Sequence, residues 1–259
     1  MTTIAAGLAP ALRSALANLI LSMADDDLVI GYWDSEWTGI APLLEEDVAT
    51  SSIAQDEIGH ARALYGLIGE LTGTDADAVA YDRPAGAFRH ARLLDGPRGN
   101  WAMTVARRAL YEAADAVRLE ALAGSGYAPL AGLVRKIQRE EAYHLAHSDA
   151  WLERLARGGE EARGRLLAAL DTLAPDAATV FAPLPDERAL VDAAVLPQPM
   201  RILEQRWRER LAPDFRQLRL PMPGPAIDAE HGRDRHADAF RWLWEEMTSV
   251  RRLDPEATW

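Results

Sequence analysis

Apolar residues recur every three or four positions along most of this 259-residue chain, and runs of β-branched residues are scarce. That periodicity predicts helices throughout. Two long helices are expected first, over about 9–33 and 42–71, the second entered at Pro42 and stopped at Gly73. The stretch 72–100 holds Gly73, Pro84, Gly86, Gly96, Pro97 and Gly99, too many interruptions for one helix, and reads as a crossover. Two more long helices are expected over about 100–122 and 129–157, parted by Gly124-Ser-Gly126 and closed by Gly158-Gly159. A further helix is expected over about 160–181, then weaker ones over 199–210 and 230–252. Two long helices, a long connection and two more long helices form the layout of an all-α four-helix bundle with a crossover. The expectation is one domain over 1–259, a bundle over about 9–157 with a C-terminal helical extension over about 160–259. Helices of about 25 residues span about 37 Å, enough to enclose a site at mid-height.

Composition narrows the chemistry. The chain has no cysteine, which removes disulfides, thiolate catalysis, iron–sulfur clusters and sulfur-bound zinc, so any metal must be held by carboxylate and imidazole. Forty acidic residues against 28 basic give a net charge of −12 and argue against nucleic acid or an anionic membrane surface as a partner. The apolar tract 16–23 lacks a basic leader, is interrupted by Asn18 and Ser22, and runs into Asp25, Asp26 and Asp27. It is too short to span a bilayer, and the expectation is a cytoplasmic protein without membrane attachment.

Within this frame one spacing stands out. Glu57 and His60 lie on the second expected helix, Glu141 and His144 on the fourth, and an i, i+3 step places carboxylate and imidazole on one helical face. The helix before each pair carries a further acid, Asp27 before the first and Glu112 before the second. Asp27 to Glu112 is 85 positions, and Glu57 to Glu141 and His60 to His144 are 84 each, so the two halves repeat. Four carboxylates and two imidazoles aimed into one bundle are the ligand set of a carboxylate-bridged pair of iron or manganese ions. The competing reading is a set of satisfied polar residues in a helical core. Asp56 and Glu140 each precede a proposed ligand and are candidates to support the ligands from behind. Glu140 also stands at i, i+4 to His144, which leaves the choice between Glu140 and Glu141 open. Elsewhere, Arg89, Arg92 and Arg98 crowd the crossover around His90 and are weaker candidates for the phosphates of a coenzyme A ligand, with a solvated loop as the alternative. His231 and His236 read as surface residues.

The segments around these residues resemble a known family. The tract 25–49, with Glu36-Trp37, Gly39-Ile-Ala-Pro42 and Leu44-Glu-Glu-Asp47, is similar to the entry helices of the phenylacetate-catabolism family. Gln55-Asp-Glu-Ile-Gly-His60 resembles the metal-binding motif of that family's oxygenase component, and Arg139-Glu-Glu-Ala-Tyr-His144 the second half of it. Overall length, and the ending from Glu230-His231 to Glu245-Glu-Met247, look more like the smaller, C-type subunit. The resemblance implies a ferritin-like fold and a di-iron oxygenase of the phenylacetyl-CoA ring epoxidase type, with an acyl-CoA substrate and Asp27, Glu57, His60, Glu112, Glu141 and His144 as metal ligands. It also implies a homologous ferritin-like partner subunit or a homo-oligomer, and a separate reductase, since no flavin fingerprint or cluster ligands are present. In that family the smaller subunit has typically lost ligands and is structural, whereas every ligand position here holds a competent residue. The alternatives are a non-catalytic subunit of the same complex and a ferritin- or peroxidase-type iron handler.

Overall fold

The computed structural model describes residues 7–254, and among them it contains nine α-helices and no strand. The four long helices are α1 (Pro10–Ser35), α2 (Leu44–Thr72), α4 (Trp101–Leu122) and α5 (Ala128–Ala156). Their order and connections are those of a ferritin-like bundle. α1 starts on Pro10, whose fixed φ suits a first helical turn. α2 ends at Gly73 in the left-handed conformation, φ 77°, with its N–H on the Gly69 carbonyl. α4 is capped by Asn100, whose side chain accepts from the Met103 N–H at 3.1 Å.

The crossover expected over 72–100 contains the short α3 (Ala76–Tyr81) and two 3₁₀ turns, and then leads into α4. Beyond the bundle, α6 (Glu160–Leu173) is shorter than the 160–181 expected, because the helix gives way to a 3₁₀ turn at Ala177–Phe181 after Pro175. After the short α7 (Glu187–Asp192), α8 (Met200–Leu218) outruns the expected end at 210. It carries Pro213 inside it, and a buried face of Leu203, Trp207, Leu211 and Phe215 holds it against the core. α9 (Asp238–Leu253) closes the described chain.

The C-terminal helices share the core of the bundle. One continuous apolar cluster runs from Ala15 on α1 to Met247 on α9. α6 and α8 pack on α4, and the buried Trp207 indole donates to the Leu110 carbonyl at 3.1 Å. α4 is therefore covered on nearly all sides, with Arg107, Arg108, Glu112, Asp115 and Arg118 among its buried residues. No described helix is long and apolar enough to cross a membrane.

α1 and α2 pack tightly at Gly31, where a Cβ would lie 3.0 Å from the Glu57 Cβ and 3.1 Å from the Ala54 carbonyl oxygen. His90 and His236, read from the sequence as loop and surface residues, are instead drawn inward by Asp95. His90 is fully buried and donates to Asp95 at 2.6 Å; His236 approaches the same oxygen at 2.9 Å and stacks on His90 with ring centroids 4.0 Å apart. Burial pushes the Asp95 carboxyl up, but the hydrogen bonds from His236 and His90 outweigh it and hold it at about 2.

Two outcomes are expected. Gly31→Ala forces the α1–α2 contact apart and costs about 1–3 kcal/mol in urea unfolding. Asp95 has a folded-state pKa below the ordinary carboxylate value of 3.8, so its contribution is complete above that value and is lost as pH falls towards about 2. Asp95→Asn should therefore lower stability by about 2 kcal/mol at neutral pH, with the gap to wild type closing on acidification.

Candidate metal centre

Asp27 on α1, Glu57 and His60 on α2, Glu112 on α4, and Glu141 and His144 on α5 all point into the bundle, and all six are buried. Their ligand-type atoms form two groups, Asp27, Glu57 and His60 in one and Glu57, Glu112, Glu141 and His144 in the other, each spanning no more than 4.8 Å. Glu57 belongs to both. The Glu141 Oε1 atom lies 3.2 Å from the Nδ1 of His60 and 3.2 Å from the Nδ1 of His144, between the two imidazoles.

The outer nitrogens of the rings are held from behind by the opposite helix. His60 on α2 donates its Nε2–H to Glu140 on α5 at 2.6 Å, and His144 on α5 presents Nε2 to Asp56 on α2 at 3.3 Å. Glu140 and Asp56 are half exposed, so the carboxylates that orient the rings are solvated while the rings are not. This arrangement aims both Nδ1 atoms inward. Of the two glutamates between which the sequence left the choice open, Glu141 is buried and faces the centre, and Glu140 is half exposed and faces the outer nitrogen of the His60 ring.

Four buried atoms at the centre have no hydrogen-bond partner: Glu57 Oε2, Glu112 Oε2, His60 Nδ1 and His144 Nδ1. Orphaned buried polar atoms are costly. With the imidazoles deprotonated at Nδ1, all four are lone-pair donors facing the same centre, and a cation would satisfy them together. The donor set, hard carboxylates with two imidazoles and no sulfur, suits iron or manganese. The residues present fit a two-metal group.

Electrostatics at the metal-free centre follow from this crowding. Burial, then the neighbouring Glu57 and Asp115 carboxylates, push Asp27 well above the ordinary carboxylate range. Glu112 is likewise raised by burial, against the pull of Arg108. Burial opposes charge on His60 and His144, but the Glu141 carboxylate 3.2 Å from each Nδ1 and the other nearby carboxylates win and lift them to about 10 and about 12. Without metal the centre holds protons in place of ions.

The sequence reading missed the cations. Arg108 on α4 reaches into the centre and pairs with Glu57 Oε1 at 2.7 Å, with Glu112 Oε1, and with Asp34 near the end of α1. It takes one oxygen of each glutamate and leaves the other, orphaned one free. Arg118, also on α4, pairs with Asp26 at 2.6 Å and with Asp115 at 2.6 Å, and the Tyr111 hydroxyl donates to Asp27 at 2.8 Å. Residues 108, 111, 112, 115 and 118 follow helical spacing on one face. That periodicity, four charged residues and a tyrosine among alanines, was the signal available. Asp25 and Asp26 are also fully buried: Asp25 meets Arg83 and the Arg89 N–H, and Asp26 meets Arg118, Arg233 and the Ala91 N–H.

The three crossover arginines do not converge. Arg89 donates to the Gly86 and Phe88 carbonyls, Arg92 pairs with Asp176 at 2.9 Å, and Arg98 pairs with Glu36 at 3.4 Å and lies 4.0 Å over the Trp37 ring.

The sequence model of the phenylacetic acid catabolic protein family matches residues 3–259. The chain belongs to that family. Among its relatives, it is 29% identical over 246 residues to the C-type subunit of 1,2-phenylacetyl-CoA epoxidase from Escherichia coli strain K12, covering 94% of this chain and 99% of the relative. It is 25% identical over 246 residues to the A-type subunit of the same enzyme, covering 93% and 78% respectively. The greater similarity to the C-type relative agrees with the character of the chain's length and ending, and the family match extends well beyond the central segments that carry the sequence resemblance.

Removing one partner of a buried ion pair costs about 3–5 kcal/mol, because the other charge is left uncompensated. Arg108→Leu should therefore destabilise the chelator-treated protein by that order in urea unfolding.

Proposed function

We propose that this chain is a di-iron subunit of a multicomponent oxygenase of the phenylacetyl-CoA epoxidase type, acting in phenylacetate catabolism on an aromatic acyl-CoA. The observation that carries this reading is the convergence of six ligand-type side chains with four inward, unsatisfied donor atoms. Asp27, Glu57 and His60 would hold one ion, and Glu57, Glu112, Glu141 and His144 the other, with Glu57 common to both. When bound, such a pair of ions binds and activates dioxygen; manganese is compatible with the same donors. Glu140 and Asp56 fix the ring orientations, and Arg108 and Arg118 offset carboxylate charge that two cations do not. The buried apolar residues Ile53, Leu64, Val134 and Ile137 on α2 and α5 would help keep water from the centre. Electrons would come from a separate reductase, since the chain offers neither thiolates nor a nucleotide-binding glycine motif. The named relatives belong to one enzyme, which supports a homologous ferritin-like partner. With no spanning helix among the described residues, the proposed location is the cytoplasm.

One observation favours a second reading. Arg108 already supplies a positive charge to Glu57, Glu112 and Asp34, as it would in a structural subunit that keeps its ligands but folds without metal. Iron analysis of protein from iron-supplemented cells distinguishes the two. The oxygenase reading expects about two irons per chain, lost in His60→Ala and Glu141→Ala, and reductase-dependent turnover of phenylacetyl-CoA. Metal-free wild type, with iron bound only by Arg108→Ala, would establish the structural reading instead.

A further inference from the structure

Arg107, the neighbour of Arg108, turns about 100° away from the metal centre on α4. Its side chain lines a separate cavity of about 550 Å³ between the crossover turn, α4, the end of α6 and the loop before α9. Arg107 is only 3% exposed, yet among the described residues no carboxylate stands within ion-pair distance of it. Its one hydrogen bond runs from Nη2 to the Pro97 carbonyl at 2.8 Å, and its Nε has no partner. The two acids whose fields reach it, Asp34 and Asp95, are already engaged, the first by Arg108 and the second by His90, His236 and the Ala237 N–H. Burial lowers its pKa only to about 10, so it remains a cation at neutral pH. Every other deeply buried arginine at the centre, Arg108, Arg118 and Arg233, has its carboxylates.

A buried, unanswered guanidinium at the wall of a cavity is an anion site. The volume lies within the range of small-molecule sites. Leu93, Pro97, Met103 and Leu173 make much of the wall apolar, and Arg92 and Arg235 add cations to its lining. Asp95 and Asp176 also line it, which disfavours a second negative charge on the occupant. We propose that this cavity binds an organic monocarboxylate with an apolar body, its carboxylate held by Arg107 and its body against Leu93, Met103 and Leu173. The site is separate from the metal centre and does not depend on metal.

Isothermal titration calorimetry of the full chain at pH 7 tests this, with octanoate as probe and inorganic phosphate as control. Octanoate should bind at one site per chain, and phosphate should bind at least about tenfold more weakly, a difference of about 1.4 kcal/mol. Arg107→Leu should weaken octanoate at least tenfold. Met103→Trp, which keeps the cation and fills the cavity, should do the same, and it decides the matter if the first variant does not fold by circular dichroism. No saturable octanoate binding by wild type, undiminished binding in Met103→Trp, or phosphate binding as tight as octanoate would each overturn the proposal.

Discussion

A carboxylate removed from water costs several kcal/mol unless a cation answers it, and the middle of this bundle buries Asp25, Asp26, Asp27, Asp34, Glu57, Glu112, Asp115 and Glu141 together. Much of the rest of the structure can be understood as the answer to that load. The three consecutive aspartates on α1 point in three directions about 100° apart. Asp25 receives the crossover through Arg83 and Arg89, Asp26 receives α4 and the C-terminal loop through Arg118 and Arg233, and Asp27 faces the centre. The crossover, the fourth helix and the segment before α9 are thus each fastened to α1 by a buried charge. The C-terminal third belongs to the fold for the same reason, because Arg233 reaches both Asp26 oxygens at 3.0 Å and also donates to the Arg89 and Val180 carbonyls.

α4 carries most of the positive half of this arrangement. Arg108 and Arg118 lie on either side of Glu112 and Asp115, so the helix brings both the acids and their counter-charges to the centre. α1 and α4 meet there through long side chains, whereas α1 packs directly on α2 and α4 directly on α5.

The six inward-facing acids and histidines were legible in the sequence because two features coincided: an i, i+3 acid–histidine step on separate helices and a repeat of 84 or 85 positions. The bundle helices were legible from periodicity to within a few residues, with Gly73 and Asn100 marking real ends. Arg108 and Arg118 were not, since an arginine on a helix belongs by default to the solvated face and only a carboxylate partner from another helix reverses that. His90 and His236 were hidden for the same reason: Asp95 brings together residues 146 positions apart. α8 runs beyond the expected end at 210 and through Pro213, because Leu211 and Phe215 on either side of that proline are buried and hold the helix through it.

The reciprocal supports of the two imidazoles bear on how the centre is assembled. Glu140 is 80 positions from His60, and Asp56 is 88 from His144, so neither ring has its orienting carboxylate on its own helical hairpin. A hairpin of α1 and α2 folding alone would leave the His60 ring free to rotate and to exchange its proton between both nitrogens. Only when α5 arrives does the ring lock with Nδ1 inward, and the same holds for His144 when α2 arrives. The centre is therefore a product of tertiary docking: each imidazole takes its fixed orientation only where the two helical hairpins meet.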